Sequence, residues 1–202
     1  KYVEEAKVEF KDKTTNGCFA PWMMYKDDFI SIGGHDPRFA SAREDSDVFN
    51  RLSLGGFELI QSWQSFVYHL TARGGQFQHG KVTKDESQKS EEWQKLMNKS
   101  TREFFRKWGT PVLHNNLLKP IVPPKYDIGF VVKNCNEQIL ETLEPWCSDI
   151  YVDDAVREGY ILKEQPNTLF DLSLRVNPMK NIVINDIEVR FDGSKLTNQN
   201  FN

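Results

Sequence analysis

Glu44-Asp45-Ser46-Asp47 places three carboxylates in four consecutive positions, and His69 closes an apolar run, Phe66-Val67-Tyr68-His69, 69 − 44 = 25 positions after Glu44. Carboxylates at the start of a helix are placed to accept a proton from an alcohol, and a histidine ending a strand is placed to ligate a divalent cation. Ahead of the cluster, Gly33-Gly34-His35-Asp36 reads as a turn that presents one more carboxylate. A base and a metal ligand at these spacings are the two parts needed to make a hydroxyl attack a carbon bearing a phosphorylated leaving group.

Transfer of a sugar from a nucleotide diphosphate to a hydroxyl has that form. The acceptor loses a proton as it attacks, and Mn²⁺ or Mg²⁺ neutralises the departing diphosphate. Asp45, with Glu44 beside it, would be the base, and His69 the metal ligand. A simpler reading stays open. Acidic residues ahead of a helix also act as caps or macrodipole partners, contributing about 0.5–2 kcal/mol, and the same N-terminus lowers a carboxylate's pKa and weakens it as a base. Trp22 and Trp63 offer faces for stacking on a sugar, against the commoner role of tryptophan in packing. Arg73, just past His69, offers a charge to reach a diphosphate, against the commoner role of a loop arginine in solvent.

The elements that must position these groups follow from periodicity. Lys1–Lys13 alternates as an exposed strand or tail would, and Cys18–Tyr25 reads as a buried strand. Lys26–Ile32 is expected to be a short helix stopped by Gly33-Gly34. A second helix starts at Asp45 or Ser46, carries Val48, Phe49 and Leu52 inward, and ends at Gly55-Gly56. Phe57–Trp63 and Ser65–Leu70 read as strands, and the polar Arg73–Ser90 as a loop. Glu91–Trp108 is a helix with Trp93, Leu96, Met97, Phe104, Phe105 and Trp108 on its apolar face, terminated by Gly109 and Pro111. Beyond the proline-rich Leu118–Lys125, the expected strands are Ile128–Val132, Ile150–Val152, Tyr160–Lys163, Leu169–Val176, Ile182–Ile184 and Ile187–Phe191. Asn136–Leu143 is expected to be a short helix.

Composition bounds the function. The 202 residues are 39% hydrophobic and 27% charged with net charge −3, so a basic nucleic-acid footprint is missing. No apolar run reaches the ~20 residues of a membrane span, and no signal peptide is visible. Three cysteines, Cys18, Cys135 and Cys147, with no C-x-x-C pair, point to buried thiols in a reducing, cytoplasmic compartment.

The stretch from Gly17 to Gly75 resembles the acceptor-side half of a GT-A glycosyltransferase of the broad family 2 and galactosyltransferase-like group. Ile32-Gly33-Gly34-His35-Asp36 is similar to the family's "GGxD" turn. Glu44-Asp45-Ser46-Asp47 resembles its acidic helix start, and Val48-Phe49-Asn50-Arg51-Leu52 its continuation. Gly55-Gly56 and the strand leading to His69 follow in the family's order, and Phe105-Arg106-Lys107-Trp108-Gly109 is similar to its closing "F-x-x-K-W-G".

The resemblance implies an inverting, metal-dependent transfer from a nucleotide-sugar donor to a glycan or other hydroxyl acceptor. Asp45 would be the catalytic base and His69 the metal ligand, with Glu44, Asp36, Trp22, Trp63 and Arg73 binding substrate. It also implies a donor-binding half with a D-x-D motif, which the sixteen residues before Gly17 do not supply, so the chain by itself is expected to be inactive. Asp127–Asn134, a helix and Asp149–Asp154 resemble the opening of a donor half, but an accessory role is the primary expectation for this part.

The expected fold class is α/β (α+β as an isolated fragment). Residues 1–118 would form a partial GT-A-like mixed sheet with helices, 119–125 a connector, and 126–202 a smaller strand-rich α+β domain. The rival function is a non-catalytic glycan-binding or interaction module. A third reading is an unrelated α+β domain whose acidic cluster only caps a helix.

Overall fold

The computed structural model describes residues 2–39, 42–65, 67 and 91–196. The protein is α/β: a four-stranded parallel sheet with helices, and a two-stranded antiparallel sheet. Two compact units divide it, one of residues 1–100 and 112–123, the other of residues 101–111 and 124–202.

The first unit contains α1 (Tyr2–Glu9), β1 (Thr14–Asn16), α2 (Lys26–Ser31), α3 (Glu44–Leu54) and β2 (Ile60–Ser62). Helix α1 replaces the expected N-terminal strand. Its Glu, Ala and Lys residues favour helix, and only Ala6 is buried, so no sheet face rewards the alternation of Val3 and Val8. The Cys18–Tyr25 segment is irregular instead of a strand, yet it keeps an alternation: Cys18, Trp22 and Met24 pack inward while Phe19, Met23 and Tyr25 stay exposed. Its entry is fixed at Gly17 (φ +156°), where a Cβ would lie 1.7 Å from the Leu117 carbonyl oxygen, so only glycine fits.

Val48, Phe49 and Leu52 of α3 form the centre of this unit's core, with Trp22, Phe29, Ile32 and Phe57 around them. Strands β1 and β2 pair antiparallel with Thr14 opposite Ser62. The expected second strand, Ser65–Leu70, falls largely outside the described residues, and Arg73–Ser90 falls wholly outside them.

Helix α4 (Glu91–Trp108) has the expected limits, and its residues from Thr101 onward belong to the second unit. That unit continues with β3 (Ile128–Lys133), α5 (Glu137–Leu143), β4 (Asp149–Val152), α6 (Asp154–Glu164), β5 (Val176–Pro178) and β6 (Ile187–Asp192). The order is β5-β4-β3-β6, every pair parallel. Parallel neighbours need crossovers, which α5 supplies between β3 and β4 and α6 between β4 and β5.

Tyr160–Lys163, expected as a strand, is the last part of α6. Val156, Tyr160 and Ile161 recur at helical spacing and pack on Val132, Ile150 and Val152 of the sheet. Leu169–Val176 holds a 3₁₀ turn at Leu172–Leu174 and only the first residue of β5, and Ile182–Ile184 is irregular.

The opposite face of the sheet, carrying Gly129, Val131 and Tyr151, is crossed by the irregular chain between β5 and β6. Val183 donates its backbone N–H to the Tyr151 hydroxyl. Asn185 lies against Gly129, where a Cβ would come within 2.1 Å of the Asn185 Oδ1.

Candidate functional site

Helix α3 begins at Glu44, one residue ahead of the expected start. Arg43 occupies the N-cap in the left-handed region (φ 68°) and makes no side-chain cap. Glu44, Asp45 and Asp47 therefore sit in the first turn, where their charge complements the helix dipole. Asp47 is fully buried and bonds Arg51 one turn later, Nε to Oδ2 at 2.9 Å. The same guanidinium donates to the carbonyls of Ile32 (2.5 Å) and Gly34 (2.6 Å). Arg51 thus fastens the Gly33-Gly34 turn to α3, with both glycines at positive φ (89° and 67°).

That clamp sets His35 within an aromatic cluster: its ring centroid lies 5.1 Å from Phe29 and 6.3 Å from Trp22. Trp22 also meets Phe29 and the edge of Phe49 at 6.0 Å each. Its indole Nε1–H donates to Asp45 Oδ1 at 3.3 Å. An open hollow of about 440 Å³ lies on the outer side of this cluster, lined by Trp22, Met23, Met24, Tyr25, Lys26, Phe29 and His35. Aromatic faces, a lysine and an imidazole around a shallow depression suit a ligand with both apolar faces and hydroxyls.

The expected site residues divide as follows. Trp22 joins Asp45 to the hollow. Asp36 is next to His35 in sequence, but its carboxylate is held by Arg38, Nη1 to Oδ2 at 3.0 Å, and by the Arg38 backbone N–H. Glu44 Oε2 is buried without a hydrogen-bond partner among the described residues. Trp63 is spent locally and does not line the hollow. Lys13 Nζ sits 3.8 Å from its ring centre, Phe10 packs at 5.5 Å, and its indole bonds Thr15 Oγ1 at 3.0 Å. His69 and Arg73 lie outside the described residues. Among the described residues no three His, Cys, Asp or Glu side chains converge as a metal site, and Asp45, which does not itself line the hollow, already accepts from Trp22 through Oδ1.

The second unit holds a polar cluster that local pattern did not reveal. Glu144, fully buried, accepts from Arg106 (2.7 Å), Arg175 (2.8 Å) and the Tyr160 hydroxyl (2.9 Å). Arg106 also bonds Glu103 and Glu164, both at 2.7 Å. Burial works against the Arg106 charge, but the bonds to Glu144 and Glu164 overcome it and raise its pKa. Burial and Glu144 push the Tyr160 hydroxyl up, so it stays protonated and donates. Arg102 joins the cluster through Glu164 (3.0 Å) and the Tyr160 hydroxyl (2.7 Å), so three arginines oppose three glutamates here, and Glu103 Oε2 is buried without a hydrogen-bond partner among the described residues. This is the pattern of a structural network tying α4 to α5 and α6.

Comparison of the chain with protein-family models, curated proteins and solved structures gives no match.

Proposed function

We propose that this chain binds a glycan or similar hydroxyl-bearing acceptor at the Trp22 hollow and is the acceptor-side part of a GT-A-type glycosyltransferase. The observation that supports the reading is the Trp22–Asp45 hydrogen bond. It links a carboxylate from the acidic start of α3 to Trp22, one of the aromatic rings that line the hollow, and an aromatic face with a nearby carboxylate is what acceptor binding and deprotonation require. In this reading a sugar ring stacks on Trp22 or Tyr25, and Asp45 accepts the proton of the attacking hydroxyl as the sugar arrives from a nucleotide-sugar donor with inversion. Mn²⁺ or Mg²⁺ at His69 would belong to the donor side. The setting proposed is cytoplasmic, supported by three cysteines that are all unbridged. No helix among the described residues is long and apolar enough to cross a membrane.

The engagement of the same Asp45 oxygen by Trp22 favours a second reading, a glycan-binding module without transfer. One pair of measurements separates the two. Oligosaccharides are titrated by NMR against the wild type, Asp45→Asn and Trp22→Ala, and transfer is assayed with nucleotide sugars and Mn²⁺. The enzyme reading expects Asp45→Asn to lower transfer by about 100-fold or more, as for loss of a general base, with acceptor affinity nearly unchanged. Binding that needs Trp22, with no transfer by any form, supports the module. Oligosaccharide shifts that ignore Trp22→Ala remove both.

A further inference from the structure

Strand β6 ends the parallel sheet, with no strand on its outer side among the described residues. Ile187 through Arg190 are exposed, and Ile187 and Val189 keep 42% and 40% of their surface. A six-residue edge with open backbone groups and apolar side chains invites another strand.

Its backbone phase limits what fits. The Ile187 N–H points inward and bonds the Asp127 carbonyl at 3.0 Å. Strand geometry then turns the N–H and C=O of Ile187, Val189 and Phe191 toward β3 and those of Glu188, Arg190 and Asp192 outward. A second β6 laid antiparallel must join outward groups to outward groups. Centring the pair on Val189 does so, with Glu188 opposite the other copy's Arg190 twice over. Moving one step either way sets Glu188 against Glu188 or Arg190 against Arg190, and like charges directly opposed are destabilising. In the favoured register Val189 meets Val189 across the axis, and Ile187 meets Phe191 on the apolar face. At the ends Asp192, held ionised by the Asn134 amide (3.0 Å) and the Ser194 N–H (3.0 Å), faces the region of Asp186, a like-charge cost at each end that keeps the pairing weak.

We propose that β6 is a self-complementary edge through which two copies of this chain pair antiparallel about a two-fold axis, joining two four-stranded sheets into one. Glu188 and Arg190, which bond each other within the strand at 2.9 Å, select the register by reaching across to the second copy. The contact is small compared with the ~1,200 Å² of a specific stable interface, so the dimer is weak and dissociates on dilution.

Sedimentation equilibrium of the 202-residue chain over a concentration series tests this. A monomer–dimer equilibrium is expected. Glu188→Arg and Arg190→Glu should each raise the dimer dissociation constant by about tenfold, because two attractive cross-strand pairs become repulsive. An equimolar mixture of the two variants should associate again, since Arg then faces Glu at both pairs. Restoration on mixing would not arise from a role within one copy. Val189→Lys should leave a monomer with unchanged circular dichroism. A wild type that stays monomeric at every concentration, or a dimer indifferent to Val189→Lys and to the single charge reversals, overturns the proposal.

Discussion

Arg106 and Glu144, 38 positions apart and each at 1% exposure or less, share one carboxylate oxygen between Nε at 3.0 Å and Nη2 at 2.7 Å. A charge pair at this depth is held because each member would be costly alone. Glu144→Gln keeps the shape but leaves Arg106 and Arg175 facing a neutral amide. Its expected cost is about 3–5 kcal/mol, the range for breaking a buried pair from one side, read from urea denaturation. A loss below about 1 kcal/mol would mean that solvent reaches the cluster as it reaches surface pairs.

The same cluster sets an acid limit. Burial pushes the Glu144 and Glu164 carboxyls up, but their arginine partners more than offset it, and both lie below the ordinary 4.5. A depressed folded value means that the stabilisation is complete above the unfolded pKa and is lost as pH falls through the folded one. Unfolding free energy should therefore change little through these groups near neutrality and decline once the pH drops below about 4.5. In Glu144→Gln the acid decline should be shallower, since one of the two carboxylates no longer titrates.

Cys18 reports on Asp45. Burial first, and the nearby Asp45 charge second, raise its thiol to about 11. Cys135 is also raised to about 11, by burial and then Asp153, and Cys147 is raised further by burial. At mildly alkaline pH a disulfide reagent should label the native protein slowly and all three thiols rapidly in denaturant. Asp45→Asn removes the second influence on Cys18, so its labelling should quicken while Cys135 and Cys147 stay slow. Unchanged labelling at Cys18 would contradict the placement of Asp45 beside it.

What the sequence made legible was local. Asp-Ile marks the start of three parallel strands, at Asp127-Ile128, Asp149-Ile150 and Asp186-Ile187, and the apolar residues that follow, consecutive in β3 and β4 and alternating in β6, announce them. The aromatic periodicity of α4 and its Gly109 stop set both its ends, and Val48, Phe49 and Leu52 showed the inward face of α3. Tyr160-Ile161-Leu162 misled because three bulky apolar residues after Gly159 look like a strand; only the sheet beneath Tyr160 makes the helix the better packing. In the candidate site Asp45 and Trp22 were each conspicuous, but the bond joining them spans 23 positions and leaves no periodic trace. The hold of Arg51 on Gly33-Gly34 and the partners of Glu144 were hidden for the same reason: which ions meet is decided by tertiary packing.

Gly129 and Asn185 supply a test of the sheet's second face. Asn185 Nδ2 donates to Asp127 Oδ1 at 2.9 Å and to Asp149 Oδ2 at 2.8 Å, bridging the starts of β3 and β4, and it lies where a Gly129 side chain would stand. The Asp127 carboxyl is held low chiefly by this amide and by Ser148. In Gly129→Ala the new Cβ would fall 2.1 Å from Asn185 Oδ1 and 2.7 Å from its carbonyl carbon, so the amide must leave both carboxylates. The expected loss is about 2–3 kcal/mol, combining overpacking with the lost charged hydrogen bonds. Asn185→Ala alone should cost about 1.5–3 kcal/mol, since it strips the bridge without a clash. Because both changes dismantle one contact, the double variant should lie within about 1 kcal/mol of Asn185→Ala instead of at the sum. Additive losses in a double-mutant cycle by urea denaturation would show that the 179–186 crossing does not pack on β3 as described.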